Sequence, residues 1–66
     1  MNSFIEIVDK NDGYRYLVNA NHICMVEPKG NGCVVSLTSK TPDDKWVLYV
    51  DNSYDEIIEL LKSKIN

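Results

Sequence analysis

The segment SYDEIIELLKSKI, from Ser53 to Ile65, predicts one amphipathic helix at the end of the chain. Ser53 and Glu56 have the spacing of a capping box, in which each side chain accepts a hydrogen bond from the other residue's main-chain N–H. Apolar residues at steps of three and four line one face of this helix, with Leu60 at its edge: Tyr54, Ile57, Ile58, Leu61 and Ile65. We therefore expect the rest of the chain to form a sheet that packs against this face.

The composition is that of one small globular domain spanning residues 1–66. The chain is 44% hydrophobic and 26% charged, which excludes a disordered or membrane-embedded class. No apolar run approaches the roughly 20 residues of a membrane helix, and the N-terminus lacks the basic and apolar regions of a signal peptide. We expect a soluble cytoplasmic protein without a membrane span.

The net charge of -3 bears on the class of partner. An acidic protein has little sequence-independent attraction to a phosphate backbone, because that attraction comes from lysine and arginine side chains. Nucleic acid is therefore a less favoured partner than protein.

Five stretches rich in β-forming residues alternate with turn residues. They predict these strands: Phe4–Val8, Tyr14–Val18, Ile23–Glu27, Cys33–Ser39 and Trp46–Val50. Asn11–Gly13, Lys29–Gly32 and Thr41–Asp44 read as turns, and Asn19–Asn21 as a tight corner. The prediction is an α+β fold, an antiparallel meander of about five strands in one sheet, flat or curled towards a barrel, packed by the C-terminal helix.

The apolar pattern also predicts how the last three strands pair. In the third and fourth strands it places Val26 opposite Val35, and Cys24 opposite Leu37, so that the apolar residues share a face. A type I turn at Thr41–Asp44 then places Leu37 opposite Leu48 and Val35 opposite Val50. In this arrangement Trp46, Leu48 and Val50 point towards the helix.

The same pairing separates the two cysteines, Cys24 and Cys33, by roughly 14 Å along the hairpin, which is too far for a disulfide. We expect both to be free thiols packed in the core, as in a reducing compartment.

One helix covers only one face of such a sheet. The far face would carry these apolar residues: Ile23, Met25, Val34, Val47 and Tyr49. Either the sheet curls into a partly closed barrel, or another protein surface covers this face. We expect the second, most simply a homodimer, with Met25, Val34, Val47 and Tyr49 as the partner interface.

His22, Cys24 and Cys33 do not make a convincing metal or catalytic site. Zinc sites usually combine two close pairs of ligands, and here a fourth ligand is missing and Cys33 lies at the far end of a hairpin. No third group is indicated to orient His22 for catalysis. We therefore predict no metal, no cofactor and no enzymatic activity.

From Leu17 to Leu61 the chain resembles the small flagellar-operon proteins of the FlbD type. The resemblance is carried by Leu17–Asn19, Ile23, Glu27–Pro28, Val35, Leu37, Val47–Val50, Ser53 and Glu56–Ile58. It implies a non-enzymatic accessory protein of motility, without catalytic residues. An accessory protein of a phage or of a regulatory system is also compatible with a small non-enzymatic domain of this kind.

The strand that ends in Glu27 and Pro28, with the strands and helix that follow it, also resembles the LytTR-type DNA-binding domain. That resemblance implies basic loops that reach the grooves of DNA, and here Lys29, Lys40 and Lys45 stand near the turns. The sequence therefore favours a protein-interaction module, with a nucleic-acid-binding regulatory domain as the alternative.

Overall fold

A computed structural model describes residues 3–64 of the chain. It contains β1 (Phe4–Val8), β2 (Arg15–Asn19), a short 3-10 turn (Ala20–His22), β3 (Ile23–Lys29), β4 (Gly32–Leu37), β5 (Val47–Val50) and α1 (Tyr54–Lys62). The predicted α+β class, with antiparallel strands and one C-terminal helix, is confirmed.

The prediction of one five-stranded sheet is wrong, and so is the barrel alternative. β1 and β2 form a separate two-stranded sheet, and β3, β4 and β5 form a second sheet in that order. The break lies at the predicted corner, where the Asn19 side chain accepts a hydrogen bond from the N–H of Asn21 at 3.0 Å. This capped turn directs the chain away from β2, so β3 begins a new sheet instead of extending the first.

The two sheets meet at one end. The N–H of Lys10, just after β1, donates to the C=O of Tyr49 in β5 at 2.7 Å. The turn end of the β1–β2 hairpin therefore lies beside β5.

The predicted pairing of β3 with β4 is confirmed over most of its length. Val26 lies opposite Val35, as predicted, and the register changes at an irregularity between Ile23 and Met25. Ile23, instead of Cys24, is therefore the residue opposite Leu37. A β-bulge adds one residue to one strand, so the side chains before it change faces.

Two predictions fail because of this bulge. Ile23 packs against the core instead of lying on the far face. Cys24 is exposed, whereas Cys33 is buried as predicted, and both are free thiols.

The predicted pairing of β4 with β5 is wrong by two residues. Val35 lies opposite Leu48, and Cys33 opposite Val50. The predicted turn does form, because the N–H of Asp44 donates to the C=O of Thr41 at 2.9 Å. However, Asp44 takes a left-handed conformation (φ 73°) and residues 38–40 leave the ladder, so the loop is longer than a four-residue turn. A shift of two residues keeps each side chain on its predicted face.

The core lies between the β1–β2 hairpin, the inner face of the second sheet and α1. Its buried side chains are Ile5, Ile7, Val18, Cys33, Val35, Leu37, Leu48, Val50 and Ile57. The inward residues of β1 and β2 alternate with outward ones, as expected for a sheet with one solvated face.

Trp46 does not join this core. Its side chain is 54% exposed, contrary to the prediction that it points towards the helix. Trp46 lies directly before β5 at the end of its ladder with β4, where its C=O accepts from the N–H of Leu37 at 2.9 Å.

The helix begins as predicted. The N–H of Ser53 donates to a Glu56 carboxylate oxygen at 2.8 Å, and the N–H of Glu56 donates to Ser53 Oγ at 3.2 Å. Ile57 is fully buried, whereas Tyr54 at the start of the apolar stripe is exposed, and Ile65 lies outside the described residues. Among residues 3–64, no helix has the length and apolar character needed to cross a membrane.

The capping box gives a first prediction. Ser53→Ala should lower the free energy of unfolding by about 1 kcal/mol, because the N–H of Glu56 loses its local acceptor. The measurement is the urea midpoint, with Ser63→Ala as the control. Ser63 Oγ only donates to the C=O of Leu60, at 2.8 Å and on the exposed helix end. Equal midpoints for the two variants would contradict the prediction.

The two thiols give a second prediction. In the folded protein Cys24 should react with a thiol reagent at the rate of an exposed cysteine, and Cys33 only after denaturation. Burial raises the pKa of the Cys33 thiol and so also reduces its reactive thiolate fraction. Intact mass after timed alkylation distinguishes the two, and rapid double labelling of the native protein would refute the described core.

Candidate protein-binding face

The face of the β3–β4–β5 sheet that points away from α1 and the β1–β2 hairpin carries two rows of side chains. We call it the outer face. In one row Met25, Ser36 and Val47 lie opposite one another across the three strands. In the next row, Glu27, Val34 and Tyr49 lie opposite one another in the same way. The four predicted interface residues, Met25, Val34, Val47 and Tyr49, therefore share this face.

The outer face is apolar and partly accessible. Met25 is 49% exposed, while Val34, Val47 and Tyr49 are half-buried against one another and their neighbours. At one end of the face, Val47 and Tyr49 line a shallow cavity that also includes Trp46 and the polar residues Asp9, Asn11 and Lys45. This patch lies on the side of the sheet opposite the core.

Lys29, the last residue of β3, borders the outer face. Its ammonium lies 5.6 Å from the centroid of the Tyr49 ring, within the range of a cation–π contact. Gly32 is opposite Lys29 and carries no side chain. A Cβ at Gly32 would lie 2.0 Å from the C=O oxygen of Val50, so this position requires glycine.

A second group of interest ties the β1–β2 hairpin to the loop before β5. We call it the Lys45 cluster: Asp9, Asp12, Tyr16, Asp43 and Lys45. Asp9 is only 2% exposed, and its carboxylate accepts from Lys45 Nζ at 2.7 Å and from the N–H of Asn11 at 3.1 Å. Lys45 Nζ also bonds Asp12 and lies 4.0 Å from Asp43.

Tyr16 completes the cluster from β2. Its hydroxyl donates to an Asp43 carboxylate oxygen at 2.8 Å, and Lys45 Nζ lies 5.7 Å from its ring centroid. The buried Asp9 carboxylate thus has a cationic partner and a main-chain donor, as a buried charge requires.

The hydrogen bonds of the cluster shift the pKa of four of its groups. The bond from Lys45 lowers the pKa of Asp12, and the bonds from the hydroxyls of Thr41 and Tyr16 lower that of Asp43. Partial burial, followed by the hydrogen bond to Asp43, raises the pKa of Tyr16 to about 12. The bonds to Asp12 and then Asp9 raise the pKa of Lys45 above its ordinary value.

The sequence did not indicate this cluster. Asp9 followed by Asn11 is a signal for a local turn, in which the side chain accepts from its own main chain. Its partner Lys45 lies 36 residues further on, beyond any local pattern. Only the packing of the hairpin on the sheet brings the two together.

The three lysines proposed as nucleic-acid contacts do not form one basic surface. Lys29 lies at the turn between β3 and β4, whereas Lys40 and Lys45 lie in the loop at the other end of β4. A six-residue strand separates these ends by about 17 Å. Lys40 pairs with Asp44 at 2.6 Å, and Lys45 is held among aspartates. Each lysine already has a partner of opposite charge or an aromatic ring.

His22, at the end of the 3-10 turn, and Cys24, in β3, are exposed, whereas Cys33 in β4 is buried. Within residues 3–64 no group of three or more His, Cys, Asp or Glu side chains has a geometry that could hold a metal ion.

Comparisons of the chain with known protein families, with curated proteins and with solved structures find no match. The resemblance to the FlbD-type proteins therefore stays a prediction.

The Lys45 cluster gives a third prediction, on pH dependence. Lowered carboxyl pKa values stabilise the fold above pH 4, and this stabilisation is lost as the pH falls through them. The raised pKa values of Tyr16 and Lys45 stabilise the fold at any pH below the ordinary pKa of each group. This stabilisation is lost as the pH rises, for Tyr16 between pH 10.0 and about 12. We expect the urea midpoint to be level between these limits and to fall on both sides.

Lys45→Met tests the origin of the fall at low pH. The variant should be less stable at pH 7, because Asp9 is left buried without its cation. Its midpoint should also fall less at low pH, because Lys45 is the main cause of the lowered pKa of Asp12. The control is Lys40→Met, which breaks an exposed pair with Asp44 and should cost less than about 1 kcal/mol. Equal losses in the two variants, or an unchanged pH profile for Lys45→Met, would contradict the assigned role.

Proposed function

We propose that the protein is a non-enzymatic interaction module that self-associates through its outer face. The observation that carries this proposal is the apolar patch of Met25, Val34, Val47 and Tyr49 on the side of the sheet that neither α1 nor the hairpin covers. A second copy of the chain is the simplest occupant of this face. A two-fold axis brings two identical apolar patches into contact, so no different protein is required.

The size of the domain supports the same proposal. A chain of 66 residues buries a smaller share of its surface than a larger domain does, so small domains often gain stability from association. Met25 is about half exposed and belongs to a residue type enriched at protein interfaces.

The free thiols and the family resemblance bear on the location and pathway of the protein. Two free thiols fit a reducing compartment, and we place the protein in the cytoplasm. The resemblance to FlbD-type proteins favours an accessory role in motility, and a phage or regulatory accessory role is compatible with the same surface.

The alternative, a nucleic-acid-binding regulatory domain, is supported less well. Affinity for a phosphate backbone requires a cluster of uncompensated cations. Lys29, Lys40 and Lys45 are split between the two ends of the sheet and are already in contact with an aromatic ring or with carboxylates. We therefore expect no binding of duplex DNA at physiological salt.

The fourth prediction tests the outer face. Val47→Lys should shift the protein from dimer to monomer, because it places a lysine charge at the centre of the apolar patch in both copies. Val47 and Leu48 point to opposite faces, so the core side of β5 is unchanged. Static light scattering over a range of concentrations gives the mass, with circular dichroism and the urea midpoint as folding controls.

Leu60→Lys is the matched control, because it makes a similar change at an exposed apolar residue on α1. It should leave the mass unchanged. A wild-type protein that is monomeric at all concentrations would refute the homodimer. Salt-dependent retention of duplex DNA would favour the alternative function, and Lys40→Met would then be the next variant to test.

A further inference from the structure

Two charged residues lie beside the apolar patch of the outer face. Glu27 and Lys29 are two residues apart on β3 and both are exposed, so their side chains leave the strand on the same side. The other residues paired on this face within β3, β4 and β5 are uncharged. Self-association through this face would therefore bring one carboxylate and one ammonium from each copy into or beside the interface.

Neither charge has a partner of opposite sign within residues 3–64. In this part of the chain the Glu27 carboxylate makes no hydrogen bond or ion pair. The described contact of the Lys29 ammonium is with the Tyr49 ring, 5.6 Å from the ring centroid. A charge that loses water without gaining an opposite charge opposes association. An interface at this face therefore needs a cation for Glu27 and an anion for Lys29.

The Lys29 side chain lies across the sheet. β4 runs between β3 and β5, so the main chains of β3 and β5 are about 10 Å apart. A contact from Lys29 on β3 to Tyr49 on β5 therefore takes the lysine side chain over β4. The residue opposite Lys29 on β4 is Gly32, which has no side chain in the way. The ammonium thus lies above β4, next to the apolar patch.

The apolar residues indicate where a two-fold axis would pass. An axis parallel to the face that runs over Val34 and Val47 sets each valine against its own copy. Met25 and Tyr49 lie on opposite sides of this line. From the spacings of rows and strands, the rotation brings Met25 to within about 5 Å of the Tyr49 position in the second copy, measured along the face. All four apolar residues of the patch are then in the interface.

The same axis brings the two charges together. It carries Glu27 to within about 5 Å of the Gly32 position in the second copy, again measured along the face. The Lys29 side chain of that copy crosses β4 at Gly32, so its ammonium lies within reach of the carboxylate. Two-fold symmetry repeats the contact, so neither residue leaves an unpaired charge at the interface.

We propose that Glu27 of each copy pairs with Lys29 of the other, and that these two ion pairs select the two-fold arrangement of the homodimer. The inference rests on the proposed self-association through the outer face. Charges at an interface fix the register and reject wrong partners more than they add affinity. A foreign partner would need an anion and a cation of its own at matching positions, whereas a second copy brings both.

Single charge reversals test the ion pairs. Glu27→Lys and Lys29→Glu should each weaken the homodimer roughly tenfold or more, because each sets like charges against each other at both ion-pair positions. Mixed together, the two variants should form heterodimers in preference to homodimers, since every charge then meets an opposite one. Light scattering over a range of concentrations gives the affinities. Native mass spectrometry with one variant isotopically labelled gives the share of heterodimers.

The double variant, Glu27→Lys with Lys29→Glu, separates pairing between copies from the effects of net charge and from contacts within one copy. It keeps the wild-type net charge of -3. It should dimerise as tightly as the wild type but form few mixed dimers with it, because a mixed dimer sets like charges against each other at both positions. An ion pair within one copy would survive in mixed dimers, and the two proteins would then mix at random.

Glu59→Lys and Lys62→Glu are the matched controls, because they make the same changes in net charge at exposed positions of α1. They should leave the dimer affinity unchanged and should mix at random. Circular dichroism and the urea midpoint of each variant serve as folding controls.

Asp51 is the competing carboxylate. It directly follows β5, and its Cα would lie 3.2 Å from a Cβ at Gly32. Asp51→Lys mixed with Lys29→Glu should therefore be compared with the Glu27→Lys mixture. A preference for heterodimers with Asp51→Lys, and none with Glu27→Lys, would overturn the assignment of Glu27.

Failure of the ion pairs and failure of the homodimer give different results. A wild-type protein that is monomeric at all concentrations would refute the homodimer, and the ion pairs with it. A dimeric wild type that mixes at random with the double variant would overturn the ion pairs and leave the homodimer in place.

Discussion

The contact between the buried carboxylate of Asp9 and the ammonium of Lys45 determines how the two sheets sit on each other. Asp9 directly follows β1, and Lys45 lies in the loop before β5, so the 2.7 Å bond joins the hairpin to the second sheet at their common end. The bond from the N–H of Lys10 to the C=O of Tyr49 lies at the same junction. With the hairpin held there, Ile5 and Ile7 of β1 reach the same core as Leu48 and Ile57.

This arrangement decides which surfaces remain for partners. The hairpin and α1 both contribute to one core, on the inner side of the β3–β4–β5 sheet, so the apolar outer face gains no intramolecular cover from either. Because the hairpin is a separate sheet, β2 does not pair with β3 and keeps an open edge. The open β2 edge is thus a consequence of splitting five strands into two sheets, whereas the outer face would be uncovered in either arrangement. A single five-stranded meander would have removed the β2 edge.

At the same junction, two lysines are paired with aspartates. Lys45 is shared among three aspartates of the hairpin turn and the loop, and Lys40 pairs with Asp44 within that loop. An ammonium already held by carboxylates has little remaining attraction for a phosphate group. The pairing of these lysines, together with the negative net charge, supports the proposal of a protein partner over nucleic acid.

Local patterns in the sequence were sufficient for the helix start at Ser53, the turns, the strands and the pairing of Val26 with Val35, because each depends on neighbouring residues or on the alternation of side chains. The same alternation placed Met25, Val34, Val47 and Tyr49 on one face correctly. Tertiary structure alone decided the separation into two sheets, the bulge that moves Ile23 inward and Cys24 outward, and the partnership of Asp9 with Lys45. These features depend on contacts between segments far apart in the chain, which compete for one small core, and the sequence pattern of either segment is compatible with more than one outcome.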